Sequence, residues 1–209
     1  MTCSPRSWPF RASRCARPAL AVIVVAVAAL LVAGCAAAIP VVSFDPASAC
    51  TTDGRQPGAY PDLEALLPTT YEGRAPDNVD SGRSCTPEAL GALAQAGIDG
   101  VRFAGATWGL GGSSGLTVAA FEGSGLDPAS MLDFYTRSAG TDRHTEDFST
   151  SDVTVGGKAG RRLDVLATNG AGHTVVTWPA DRPGTVFVLL ASDLGDAAVL
   201  AALDEFAAP

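Results

Sequence analysis

Three stretches of the chain repeat apolar residues at intervals of three and four, the spacing that lines one face of a helix. The first opens on Thr86-Pro87-Glu88, a capping residue followed by proline at the first helical position and an early acid, carries Leu90 and Leu93, and stops at Gly97. The second repeats that opening with Asp127-Pro128, continues through Met131, Leu132, Phe134 and Tyr135, and stops at Gly140. A third runs from about Asp196 through Val199, Leu200, Leu203 and Phe206. Leu63 to Leu67, ended by Pro68, predicts a turn or two of helix.

Between these segments the spacing changes to that of strands. Candidates are Val101 to Trp108, Leu116 to Glu122, Val153 to Val155, Arg161 to Ala167, His173 to Pro179 and Thr185 to Ala191. The short connections Gly156-Gly157, Asn169-Gly170 and Asp181 to Gly184 favour hairpins, hence an antiparallel sheet. Val186 to Leu190 is apolar on both faces, which predicts a central strand covered on both sides. The order of elements predicts an α+β domain, an antiparallel sheet of about five or six strands packed with about three helices.

The N-terminus carries a different signal. A basic region to Arg17 precedes an apolar run, Ala19 to Val32, followed by Ala33-Gly34-Cys35. Val32-Ala33-Gly34-Cys35 resembles a bacterial lipobox. That resemblance implies a diacylglyceryl group on the Cys35 sulfur, cleavage before Cys35 and acylation, palmitate included, of the exposed terminus; it covers the export segment alone. Ala36 to Val42 stays apolar, so the same residues can also be read as an uncleaved single-pass helix with its basic end inside. Under either reading the remainder faces outward at a cell envelope, held to the membrane. Residues 1–34 are therefore expected to be a signal peptide or membrane anchor and 35–61, rich in Asp, Pro, Gly and Thr, a flexible linker. Residues 62–209 are expected to form a single extracytoplasmic domain.

Export changes how the five cysteines are read. Cys3 and Cys15 fall in the leader and Cys35 in the lipobox, so Cys50 and Cys85 remain and are expected to form a disulfide in an oxidising compartment. Charge narrows the partners. The net charge is -8, and Arg6, Arg11, Arg14 and Arg17 all precede the first acid, Asp45, so the exported part is more acidic still. With only Arg161-Arg162 as a basic pair, nucleic acid is excluded as a partner.

Candidate chemistry is sparse. Gly111-Gly112-Ser113-Ser114-Gly115 has the letters of a nucleophile elbow, and Ser113, Asp164 and His173 would follow the order of a triad. An elbow requires a helix after the serine, whereas Leu116 to Phe121 predicts a strand, so the segment reads as a glycine-rich hairpin loop. His144 falls in a polar loop beside Asp142, Glu146 and Asp147, without the spacing of a calcium loop. No metal or cofactor is expected. Trp108 and Trp178 border hairpin turns and Arg162 lies on a strand; these three are the candidate ligand-binding residues. The sequence thus favours a membrane-tethered, non-catalytic binding or envelope-associated domain. The alternatives are a secreted serine hydrolase using Ser113 and His173, and a small-ligand receptor with its pocket between the sheet and the helix from Asp127 to Ala139.

Overall fold

A computed structural model describes residues 44–207. Its strands are β1 Gly54–Gln56, β2 Asn78–Ser84, β3 Val101–Gly111, β4 Ser114–Glu122, β5 Thr145–Val155, β6 Lys158–Ala167, β7 Gly172–Pro179 and β8 Thr185–Ser192. The helices are α1 Pro61–Glu64, α2 Pro87–Leu90, α3 Ala92–Gln95, α4 Pro128–Thr141 and α5 Asp196–Ala207. The expected sheet of five or six strands with three helices is corrected: one antiparallel sheet holds eight strands, and three of the five helices are single turns of four residues.

Strand order is β1-β2-β3-β4-β8-β7-β6-β5. Two meanders, β1 to β4 and β5 to β8, meet at their last strands, which pair from Gly115↔Ser192 to Glu122↔Thr185. The α4 crossover carries the chain from the central strand β4 to the far edge, β5. Alternation along the strands then sorts side chains to two faces. On one, Ala104, Ala106 and Trp108 of β3 and Leu116, Val118 and Ala120 of β4 pack with Leu63 of α1 and with Val199, Ala202 and Leu203 of α5. On the other, Leu163, Val175, Val186 and Val188 pack with Leu90, Leu93, Met131 and Leu132 from α2, α3 and α4. Covering both faces of the centre explains why residues 186–191 of β8 are all apolar.

The helix that was expected to run unbroken to Gly97 is interrupted at Gly91, whose φ of 50° ends α2 and starts α3. Thr86 caps α2 as its sequence suggests, accepting from the Ala89 N–H. Asp127 and Ser130 form a reciprocal capping box at the start of α4, where Pro128 fills the first turn.

Within the stretch expected to be a linker, the fold extends back to Phe44. Cys50 and Cys85 are disulfide-bonded with Cα atoms 5.3 Å apart. Ala59 and Tyr60 are buried, and Phe44 packs against the same cluster. Arg83 is buried in β2, where it donates to the Ser48 carbonyl at 2.6 Å, to Ser48 Oγ at 2.8 Å and to the Thr52 carbonyl at 3.0 Å, while its guanidinium lies over the Phe44 ring. Asp53 accepts from the Cys85 and Thr86 N–H groups and from Thr86 Oγ1, and these bonds hold its carboxyl below the usual range. The lipobox and the apolar run before it lie outside the described residues. Among the described residues no helix is long and apolar enough to cross a membrane.

Candidate functional site

The face of the sheet beneath α4 is not completely filled. The N-terminal half of α4 seats Met131 and Leu132 in the core, and Thr177 Oγ1 donates to the Pro128 carbonyl at 2.8 Å, fixing the helix start to β7. Beneath its C-terminal half, between the helix and β6 and β7, lies a cavity of about 430 Å³. Its walls follow from two periodicities. Tyr135 and Ala139 are one helical turn apart, and Leu163 and Val165 of β6 alternate to the same face as Val175 of β7. Leu163, Val175 and Ala139 are buried, so the floor is apolar.

The rim is polar and comes from two loops. After α4, Asp142 Oδ1 accepts from the His144 N–H at 2.9 Å, a tight turn that presents His144 before β5 begins. Across the opening, the β6–β7 turn presents Thr168 and Asn169, and the Thr168 N–H donates to the His144 carbonyl at 2.8 Å, joining the two rims. Gly170, at φ 83°, supplies the left-handed residue that this turn requires. His173 completes the rim from β7. The protein has two histidines, and both line this cavity. Among the described residues the Tyr135 hydroxyl makes no hydrogen bond to another side chain or the backbone, and burial pushes its pKa up to about 12.

The three side chains expected to bind a ligand, Trp108, Trp178 and Arg162, lie elsewhere. Trp108 is fully buried, stacks on Phe206 at 5.7 Å and donates its indole N–H to the Arg74 carbonyl at 3.0 Å. Trp178 is buried and stacks on Phe187 at 5.6 Å. Both belong to the core on the face opposite the cavity. Arg162 makes a bidentate pair with Asp164, both bonds 2.8 Å, and reaches Asp196 at the start of α5 at 2.6 Å. Hydrogen bonding to Asp164 holds the guanidinium above its ordinary value. Arg162 borders a shallower cleft of about 300 Å³ with Thr174 and Leu194.

Nor does the fold assemble a triad from Ser113, Asp164 and His173. Asp164 and His173 belong to opposite faces, since Asp164 pairs with Thr174 and His173 with Val165. Burial raises the Asp164 carboxyl, but hydrogen bonds from Arg162 and Thr174 outweigh it and hold the group below its usual value. The Asp193 carboxyl is held below its usual value by the neighbouring Ser113 hydroxyl and by the Gly172 N–H, which donates to Oδ1 at 2.9 Å. Ser114 donates to the Asp193 carbonyl at 3.0 Å, so the glycine-rich loop is stitched to the end of β8. The partner of His173 is Ser192, with Nδ1 and Oγ 3.2 Å apart.

No protein-family model, curated protein or solved structure matches the chain. Among the described residues no three His, Cys, Asp or Glu side chains are placed to hold a metal ion. Tyr135, Ala139, Leu163, Val165 and His173 were each legible as parts of a helix or strand; their convergence depends on where α4 lands on the sheet, which local pattern does not specify.

Proposed function

We propose that the protein is a non-catalytic small-molecule-binding domain tethered to the outer face of a bacterial membrane, with its ligand held between α4 and β6–β7. The observation that carries this reading is an apolar-floored, open-mouthed cavity of about 430 Å³ bordered by a polar rim that includes both histidines. This is the usual make-up of a small-molecule site, an apolar body to remove from water and a few polar groups to orient it. The tether rests on Val32-Ala33-Gly34-Cys35 and the apolar run before it.

A thermal-shift screen of full-length protein against apolar metabolites tests the binding reading. Hits should disappear in Ala139→Phe and in Val165→Trp, which fill the cavity from the helix side and the sheet side. Hits that survive both substitutions would place binding elsewhere, and a screen without hits would count against the reading. For the tether, radiolabelled palmitate should enter the wild type but not Cys35→Ala; label retained in the variant would remove the lipid-anchor assignment.

A further inference from the structure

We infer that the cavity takes a largely apolar molecule of about a dozen heavy atoms whose polar end is a hydrogen-bond acceptor, a carboxylate or an amide carbonyl. The inference rests on the reading that this cavity is a binding site and adds the chemistry of what enters it. Size sets the first limit. Water takes about 30 Å³ per oxygen in its liquid, so an open-mouthed cavity near 430 Å³ holds about a dozen heavy atoms. The floor sets the second: Leu163, Val175 and Ala139 offer no polar atom from their side chains, so the inner part of the occupant is hydrocarbon.

The polarity of the other end depends on the rim groups whose sense is set by a bond already made, since the Thr145 and Thr168 hydroxyls and the His173 ring can donate or accept and do not decide it. The Ser138 hydroxyl donates to the Phe134 carbonyl at 3.1 Å, and Asn169 Oδ1 accepts from the Ala171 N–H at 3.0 Å. His144 Nε2 accepts from Arg143 Nε at 3.2 Å, which puts the proton of a neutral ring on Nδ1 and makes that nitrogen a donor. Tyr135 supplies a second donor. Its hydroxyl has no partner among the described residues and, with its pKa raised to about 12, stays protonated. Two donors above an apolar floor match an acceptor on an apolar chain. Asp142 is the one carboxylate on the rim, and its Oδ1 is engaged by the His144 N–H. A cationic head could pair with the second Asp142 oxygen, but it would leave the His144 Nδ1 donor unmatched.

Octanoate, octanamide and octylammonium share a chain and differ at the head. Each is titrated into full-length protein in lipid nanodiscs, read at the amide signals of Ala139, His144 and Thr168. Octanoate and octanamide should bind at least tenfold more tightly than octylammonium. Tyr135→Phe should weaken the first two about tenfold, the loss of roughly one hydrogen bond, and weaken octylammonium less. His144→Ala, at an exposed position, should act in the same direction and keeps the test usable if Tyr135→Phe fails to fold. Octylammonium binding as tightly as octanoate, or acceptor ligands indifferent to both substitutions, would overturn the acceptor rule while leaving the cavity as a binding site. Failure of all three to shift these signals would overturn the binding reading as well.

Discussion

Replacing both Cys50 and Cys85 with serine should destabilise the protein by about 4 kcal/mol, through the unfolded state rather than through lost native contacts. The cross-link joins positions 35 residues apart. In the chain-entropy relation a loop of that size gives an entropy of about -13 cal/mol/K, hence close to 4 kcal/mol at room temperature. The native side contributes little. Cys50 is exposed and Cys85 half-buried, so two hydroxyls are accommodated there without desolvation. The Cα separation of 5.3 Å lies within the ordinary range for a bridge. The segment also keeps its other ties, Arg83 to Ser48 and Thr52, and Asp53 to Cys85 and Thr86. Urea unfolding followed by tryptophan fluorescence reads the effect, since Trp108 and Trp178 are buried. The midpoint should fall, the slope should rise because the uncross-linked chain exposes more surface, and Tm should drop by roughly 8 to 16 °C. A loss below about 1 kcal/mol with an unchanged slope would refute the entropic account. A separate early transition would show instead that residues 44–53 detach before the sheet unfolds.

Two further perturbations test the packing. Gly82→Ala in β2 should cost about 1 to 3 kcal/mol, measurable by denaturation. A Cβ there would run into the Gly54 carbonyl oxygen and lie 2.7 Å from Arg55 Cβ and 2.8 Å from the Phe103 ring, and β1 would have to move; an unchanged stability would mean that β1 is not held where it is described. Asp164→Asn should lower stability at neutral pH by about 1 kcal/mol, discounted from a buried pair because the Asp164 side chain is 41% exposed. With its folded-state pKa below 3.8, the carboxylate stabilises above the unfolded-state value and loses that contribution as pH falls through the lower folded-state value. Wild type and variant should therefore converge in strong acid; a gap that is constant with pH would assign the effect to packing.

The helix starts were legible because capping is local chemistry: Thr86, Asp127 and Pro128 carry their information within a few residues. β2 was not, because it is stabilised by partners distant in sequence. Asn78–Ser84 contains one apolar residue, Val79, yet Ser81 and Arg83 are buried. Ser81 is satisfied by Glu64 Oε1 at 2.7 Å and by the Tyr60 N–H at 2.8 Å, and Arg83 by Ser48 and Thr52. Such a strand has no hydrophobic period to read, and the segment that satisfies it then resembles a linker for the same reason. β5 illustrates the opposite limit. As an edge strand it is exposed from Glu146 to Asp152, so only Val153 to Val155 carried a visible signal.

The candidate site shows a related limit with a different cause. Large aromatics beside turns suggested a binding surface at Trp108 and Trp178, but side-chain size favours burial as strongly as it favours recognition. Which outcome prevails depends on what covers each face. Here α5 brings Val199, Leu203 and Phe206 over the tryptophan face and fills it. The other face is covered by α4, whose later turns present Tyr135, Ser138 and Ala139 rather than bulky aliphatic side chains. The cavity is therefore a consequence of small and polar residues where a core helix would ordinarily place leucines. That identity choice is present in the sequence, and it acquires meaning only once β6 and β7 are known to lie beneath it. The same reasoning makes Ala139 the position at which a single larger side chain separates a binding role from a structural one: in a merely under-packed core, filling the gap should stabilise the fold and affect no ligand.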